Sequence, residues 1–170
     1  MRVPLSPHPD TPSAAVRAVE VEVAPVSGRQ VRLRYVVTGE ISRLAIPEAA
    51  PPERADELWK RTCFEAFATR GAGYREFNFS PSTQWAAYDF DFYRAGMRNA
   101  EAPAPRIEGR HGQEHYELDV AFDLPGDGPC QVALTAVIEE ADGAKSYWAL
   151  KHAPGMPDFH QTDGFALELP

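Results

Sequence analysis

Residues 19–23 read Val-Glu-Val-Glu-Val, and residues 31–37 read Val-Arg-Leu-Arg-Tyr-Val-Val. Side chains alternate across a β-strand, so a period of two gives each segment one buried face and one wet face. Ser27-Gly28 lies between them and marks a hairpin-like turn. The same alternation returns at Tyr116, Leu118, Val120 and Phe122, and again at Phe165, Leu167 and Leu169.

Two further segments are apolar on both faces. Cys63 to Ala68 (CFEAFA) and Val132 to Ile138 (VALTAVI) read as central strands of a packed sheet. Tyr74–Phe79, Trp85–Phe92 and Tyr147–Leu150 bring the set to about ten short strands, the spacing of an all-β protein. The expected fold is a two-sheet antiparallel β-sandwich. Helical signal is confined to Arg54–Lys60, after Pro51-Pro52, and to Phe92–Arg98, each long enough for one or two turns. No βαβ alternation is present, which disfavours a doubly wound sheet. The proline-rich residues 1–15 read as an extended arm and residues 16–170 as a single domain. The Pro/Ala stretches 49–52 and 102–105 are too short to link domains and read as loops.

Composition narrows the function classes. The chain has 170 residues, 44% hydrophobic and 25% charged, as ordinary globular proteins do. Its 17 basic and 25 acidic side chains leave a net charge of −8, which argues against nucleic acid or an anionic membrane as partner. The excess lies in the second half: residues 1–85 carry 11 basic against 10 acidic groups, residues 86–170 only 6 against 15. No apolar run approaches the roughly 20 residues of a membrane-spanning helix. Met1 to Ala15 has neither a signal-peptide nor a transit-peptide pattern, so a cytoplasmic location is expected. Cys63 and Cys130 are too few for a disulfide framework and are expected to be reduced.

The standard catalytic signatures are missing from the sequence. It has no glycine-rich phosphate loop, Gly-x-Ser-x-Gly elbow, His-Glu-x-x-His or paired Cys-x-x-Cys. Cys63 sits inside an apolar strand, as inert buried thiols do. Among the five histidines, His152 and His160 bracket HAPGMPDFH with Asp158 between them. Two imidazoles and a carboxylate at this spacing are the elements of a metal triad. The competing reading is a rigid loop, held by Pro154 and Pro157, whose polar groups satisfy its own backbone. A loop of fixed shape at a sheet end is a common place for binding residues.

Aromatics are the other feature. Most of the three Trp, nine Phe and six Tyr must fill the core. Trp59 stands apart, following Asp56-Glu57-Leu58 in a polar segment. An aromatic face beside carboxylates suits a sugar, whose CH groups stack on the ring while its hydroxyls bond to polar neighbours. The plainer alternative is that Trp59 staples its loop to the core.

The stretch LWKRTCFEAFATRGAGYREFNFSPSTQWAAYDF resembles the DOMON-like superfamily, which includes the family 9 carbohydrate-binding modules. Trp59, Glu65, Phe67, Tyr74, Phe77 and Phe79 fill the family pattern, Asn78-Phe79-Ser80-Pro81 its strand end, and DGFALEL resembles its last strand. The likeness is closest to a bacterial subgroup of stand-alone domains. It implies a β-sandwich in which Trp59 and Glu65, six residues apart, both reach a sugar. Where the modules place a second aromatic clamp, this sequence offers Asp158, Phe159, His160 and Gln161, a narrower stacking face. Some modules hold structural calcium, for which only Asp89-x-Asp91 is available. Other DOMON domains hold haem through Met/His or Met/Lys pairs. Met97, Met156, Lys151, His152 and His160 supply those types, and without Cys-x-x-Cys-His any haem would be noncovalent.

The sequence thus points to a non-catalytic β-sandwich that binds a small carbohydrate-like ligand at a loop end, with no cofactor. Trp59 is the stacking platform, Glu65 and Lys151 supply hydrogen bonds, and the loop with His152, Asp158, Phe159 and His160 forms a lid. The alternatives are a noncovalent haem carrier and a metal-dependent protein built on the His152–His160 loop.

Overall fold

A computed structural model describes the backbone of all 170 residues and every side chain except those of residues 25–27. Twelve strands form, all paired antiparallel. They are β1 (Arg2–Pro7), β2 (Val16–Ser27), β3 (Gln30–Gly39), β4 (Cys63–Arg70), β5 (Gly73–Phe79) and β6 (Trp85–Phe90), followed by β7 (Arg98–Asn99), β8 (Arg106–His111), β9 (His115–Asp123), β10 (Cys130–Glu139), β11 (Lys145–Ala149) and β12 (Leu167–Leu169). The order across the sheet is β7-β6-β5-β4-β10-β11-β1-β2-β3-β9-β8, and β12 pairs with the start of β10.

The fold is all-β and antiparallel, as the alternation predicts, but its two halves belong to one sheet curled into a half-barrel. The reason lies in β1. Its first part, Arg2 to Leu5, pairs with β2, and its last two residues, Ser6 and Pro7, pair with β11. One strand therefore passes from one half to the other, as strands do at the corners of folded sheets. The proline-rich N-terminus, read as an extended arm, is extended over Arg2–Pro7 and lies inside the sheet.

The concave interior holds the main core. Tyr35, Tyr116, Phe64, Phe79, Leu33, Leu118 and Leu134 are all fully buried there. Rings from opposite halves meet: Tyr35 and Phe64 at 5.0 Å between centroids, Phe79 and Phe122 at 5.1 Å. The Tyr35 hydroxyl, on β3, donates to the backbone carbonyl of Glu65 on β4 at 2.7 Å. This bond crosses the core and fixes one half against the other.

CFEAFA and VALTAVI become β4 and β10, direct neighbours at the middle of their half. Both faces of each are buried, because a second apolar layer covers the outside. Phe67, Tyr74, Tyr88, Phe90 and Ala133 form that layer, with Leu58, Trp59, Phe159 and Phe165 packed onto it. The helical expectations shrink. Of Arg54–Lys60, only Leu58–Lys60 forms a single 3₁₀ turn, because the backbone at Arg54 bridges to Trp85 while its guanidinium bonds to the carbonyls of Ala87 and Ala100. Glu57 then takes a left-handed conformation, φ 61°, which no helix continues through. Of Phe92–Arg98, Phe92 to Ala95 form a tight turn with Arg94 at φ 50°, and Arg98 begins β7. Among the described residues no helix is long and apolar enough to cross a membrane.

Removing the core-crossing hydroxyl tests this arrangement. Tyr35→Phe leaves a buried carbonyl short of a donor and is expected to cost about 1–2 kcal/mol in urea unfolding. Phe64→Ala, which leaves a cavity between the halves, is expected to cost about 3–5 kcal/mol. Equal and small effects from both would contradict a core shared by the two halves.

Candidate functional site

The outer face of β4, β5, β6 and β10 carries every second residue of those strands. Glu65 and Phe67 come from β4, Tyr74, Glu76 and Asn78 from β5, Tyr88 and Phe90 from β6, Thr135 and Val137 from β10. Three segments, 53–61, 91–97 and 151–165, roof this face. Between roof and sheet lies a cavity of about 310 Å³, lined by Trp59, Glu65, Phe67, Glu76, Phe90, Arg94, Met97, Val137, Tyr147, Pro157, Phe159 and His160.

Two carboxyl groups form its floor. Glu65 and Glu76 are 3% and 5% exposed, in strands that lie side by side. Thr135 donates its hydroxyl to Oε2 of Glu65 at 3.2 Å, and Asn78 donates from Nδ2 to Oε1 of Glu76 at 2.8 Å. Burial disfavours the charged form, and the negative charge of Glu76 adds to this for Glu65, so the Glu65 carboxyl is pushed well up. Burial likewise pushes Glu76 up to about 7, against the hydrogen bond from Asn78 and the charge of Arg94. The floor is therefore a pair of acids that do not both ionise readily, the kind of perturbed group found at functional sites.

His160 closes one wall. Its ring stands edge-on to Phe67 and Phe90 at 5.2 and 5.1 Å, and its Nδ1 bonds to the Tyr74 hydroxyl at 2.7 Å. Nε2 lies 3.7 Å from Oε2 of Glu76. Burial, helped by the charge of Arg94, holds the imidazole down to about 4, so it is neutral near pH 7. Asp158 ties the roof together. It accepts from Arg94 at 2.8 Å, from the Tyr93 hydroxyl, from the His160 backbone N–H and from Gln161. These donors hold its carboxyl down to about 2. The same bonds join the 91–97 turn to the 157–161 loop across the mouth of the cavity.

Trp59 sits in the single turn Leu58–Lys60, half-buried, its ring edge-on to Tyr88 at 6.1 Å. Its loop is anchored upstream, where the Tyr88 hydroxyl donates to Asp56 at 2.6 Å and Arg54 stacks over Trp85 at 4.4 Å. The staple to the outer layer and the position on the cavity wall thus coexist.

Of the residues singled out in the sequence, Trp59, Glu65, Phe159 and His160 come together in the cavity. Lys151, His152 and Asp158 do not line it. Lys151 is exposed and pairs with Asp163 at 3.6 Å. His152 bonds through Nε2 to the Ser6 carbonyl at 2.8 Å and meets His8 edge-on, so it pins the loop to β1. Asp158 is a roof tie. His152, Asp158 and His160 consequently serve three different places, and no group of three His, Cys, Asp or Glu among the described residues is placed to hold a metal ion.

Glu76, Arg94 and Tyr147 were not singled out. For Glu76 a signal existed. In GYREFNF the alternation puts Tyr74, Glu76 and Asn78 on one face and Phe77 and Phe79 on the other, and β5 pairs beside the doubly apolar β4. A carboxylate there is buried whichever layer covers it. No local pattern foretells Arg94 or Tyr147, which reach the cavity only through the fold.

No family model, curated protein or solved structure matches this chain. The DOMON-like resemblance rests on the sequence positions alone.

The acid pair leaves a mark on stability. Glu76 has a folded pKa near 7, above its ordinary 4.5, so the folded chain holds more protons than the unfolded one between those values. Its contribution to stability falls as pH rises through that window. His160, lowered from 6.5 to about 4, contributes with the opposite sign, gaining stability as pH rises from about 4 to 6.5. Above pH 6.5 the carboxyl effect stands alone. Glu76→Gln is therefore expected to gain stability relative to the parent chain as pH is raised from about 5 to 8 in chemical denaturation. A stability difference independent of pH would contradict a buried, raised Glu76.

Proposed function

We propose that the chain is a non-catalytic ligand-binding domain that holds a small carbohydrate-like molecule in the cavity under the 151–165 loop. The observation that carries this reading is the meeting of Trp59, Glu65, Phe159 and His160, distant in sequence, on one cavity of about 310 Å³. Trp59 and Phe159 offer ring faces for the CH groups of a sugar. Glu65 and Glu76 offer carboxyl oxygens for its hydroxyls, and the tie through Asp158 keeps the roof in place. Pockets of this size, with aromatic walls and few convergent polar groups, are the usual form of small-molecule sites. In this reading the curled sheet is a variant of the two-sheet DOMON-like sandwich, with β1 shared by its halves.

A noncovalent haem reading draws on Met97 and His160, which both line the cavity. It is the weaker one. His160 Nδ1 is taken by Tyr74 and its Nε2 faces Glu76, so the ring would have to turn before it met an iron. Met156 lies apart, 82% exposed.

Tryptophan fluorescence titrated with mono- and disaccharides tests the proposal, followed by calorimetry of variants with any sugar that gives a saturable response. Trp59→Ala and Phe159→Ala are each expected to weaken binding roughly tenfold or more. A flat response across the panel, or full affinity in Trp59→Ala, would contradict the sugar reading.

A further inference from the structure

Among the described residues six acidic side chains are buried: Glu65, Glu76, Asp89, Asp119, Glu139 and Glu140. Four of them have an arginine. Asp89 pairs with Arg75 at 2.7 Å, Asp119 with Arg32 at 2.9 Å, Glu139 with Arg61 at 3.3 Å and Glu140 with Arg43 at 3.4 Å. This is the normal condition of a buried carboxylate, since an unpaired charge out of water is costly. Glu65 and Glu76, the two that face the cavity, have no arginine or lysine partner among the described residues.

Each uses one oxygen on a neutral donor and leaves the other free. Oε2 of Glu65 accepts from Thr135 and Oε1 of Glu76 from Asn78. Glu65 Oε1 and Glu76 Oε2 accept no hydrogen bond among the described residues. Among the described neighbours no cation bonds to either oxygen, although the charge of Arg94 acts on Glu76 from the cavity wall. His160, at 3.7 Å from Glu76, is held neutral by burial. Arg94, on the cavity wall, is bonded to Asp158 at the roof. On β10, Glu139 shares the face of Thr135 but is paired with Arg61. Burial pushes the Tyr74 and Tyr88 hydroxyls up, so both are neutral, and the Cys63 thiol is pushed up by burial and by both acids. Around the two free oxygens the walls are aromatic: Phe67, Phe90, Phe159 and Trp59.

Resting on the carbohydrate reading, we propose that the ligand is an amino sugar, whose ammonium group lies between Glu65 and Glu76 and whose ring stacks on Trp59. The ammonium supplies the missing cation, which the other four buried acids find within the chain. Aromatic rings around it add cation–π attraction. The raised Glu76 gives the event a second signature. Near neutral pH the acid pair retains a proton, and an ammonium placed against it expels that proton to solvent. While the amine keeps its own proton, its affinity therefore rises with pH as Glu76 titrates near 7, and a neutral sugar has no such proton release.

The test is calorimetry on the full chain with matched pairs, glucosamine against glucose and galactosamine against galactose, in buffers of different ionisation enthalpy. The amine of at least one pair is expected to bind about tenfold or more tightly than its neutral parent. Its heat should vary with the buffer as a proton is released, and the preference should vanish in Glu65→Gln and Glu76→Gln. Those variants keep the hydrogen-bonding shape and remove a buried charge, and their thermal melts check that the fold is retained. Neutral sugars binding as tightly as the amines would overturn the ammonium site and leave the sugar site standing. An amine preference that survives in the double Gln variant would also overturn it. No saturable binding by any of the four sugars would overturn both readings together.

Discussion

The pairing of β4 with β10 is the constraint on which the rest depends. These two strands run side by side with six residue pairs in register, from Val132 opposite Ala68 to Val137 opposite Cys63. Both are covered on both faces. Their inner residues, Phe64, Ala66, Leu134 and Ala136, enter the core shared with β3 and β9. Their outer residues, Glu65, Phe67, Ala133 and Thr135, lie beneath the roof loops. A strand buried on two sides has no wet face for a polar residue, so the carboxyl of Glu65 is dry because of where its strand lies. Its raised pKa is a consequence of the architecture, and so is the cavity above it.

The same constraint explains the division of labour among the roof residues. A roof over a sheet face needs fixed ends, and the chain provides them through polar ties. Asp158 binds the 91–97 turn to the 157–161 loop, His152 pins the loop to β1, and Arg54 and Asp56 hold the Trp59 segment against β6. These residues shape the cavity without lining it. Glu65 and Glu76 are the two polar groups of the floor left without such a tie, and they are the ones that face the cavity.

Much of the fold was legible because strand alternation is local. VEVEV and VRLRYVV become β2 and β3, and the doubly apolar CFEAFA and VALTAVI become the central pair. The joining of the halves was not legible. It depends on β1, whose residues Arg2–Pro7 show no clean alternation and carry prolines, so that they read as part of an extended arm outside the domain. For the site, Trp59 was found because an aromatic stands out in a polar segment and Glu65 through the DOMON-like resemblance, six residues on, while Phe159 and His160 were found through their loop. Lys151, His152 and Asp158 were grouped with them by proximity in sequence, but a loop of fixed shape turns successive side chains in different directions. Glu76 was passed over because a glutamate in a strand ordinarily marks a wet face. Its burial follows from the roof over the outer face, which is assembled from three segments distant in sequence.

The most direct measurement is the titration of the glutamate side-chain carboxyls by carbon-13 NMR on uniformly labelled protein, with Glu65→Gln and Glu76→Gln used to assign the two resonances. Both are expected to titrate well above the exposed glutamates, with the Glu76 carboxyl near 7, and Glu76→Gln is expected to lower the pKa of Glu65. If both carboxyls titrate with the exposed ones and neither responds to loss of the other, the floor is not a dry, coupled pair, and the account of the cavity fails.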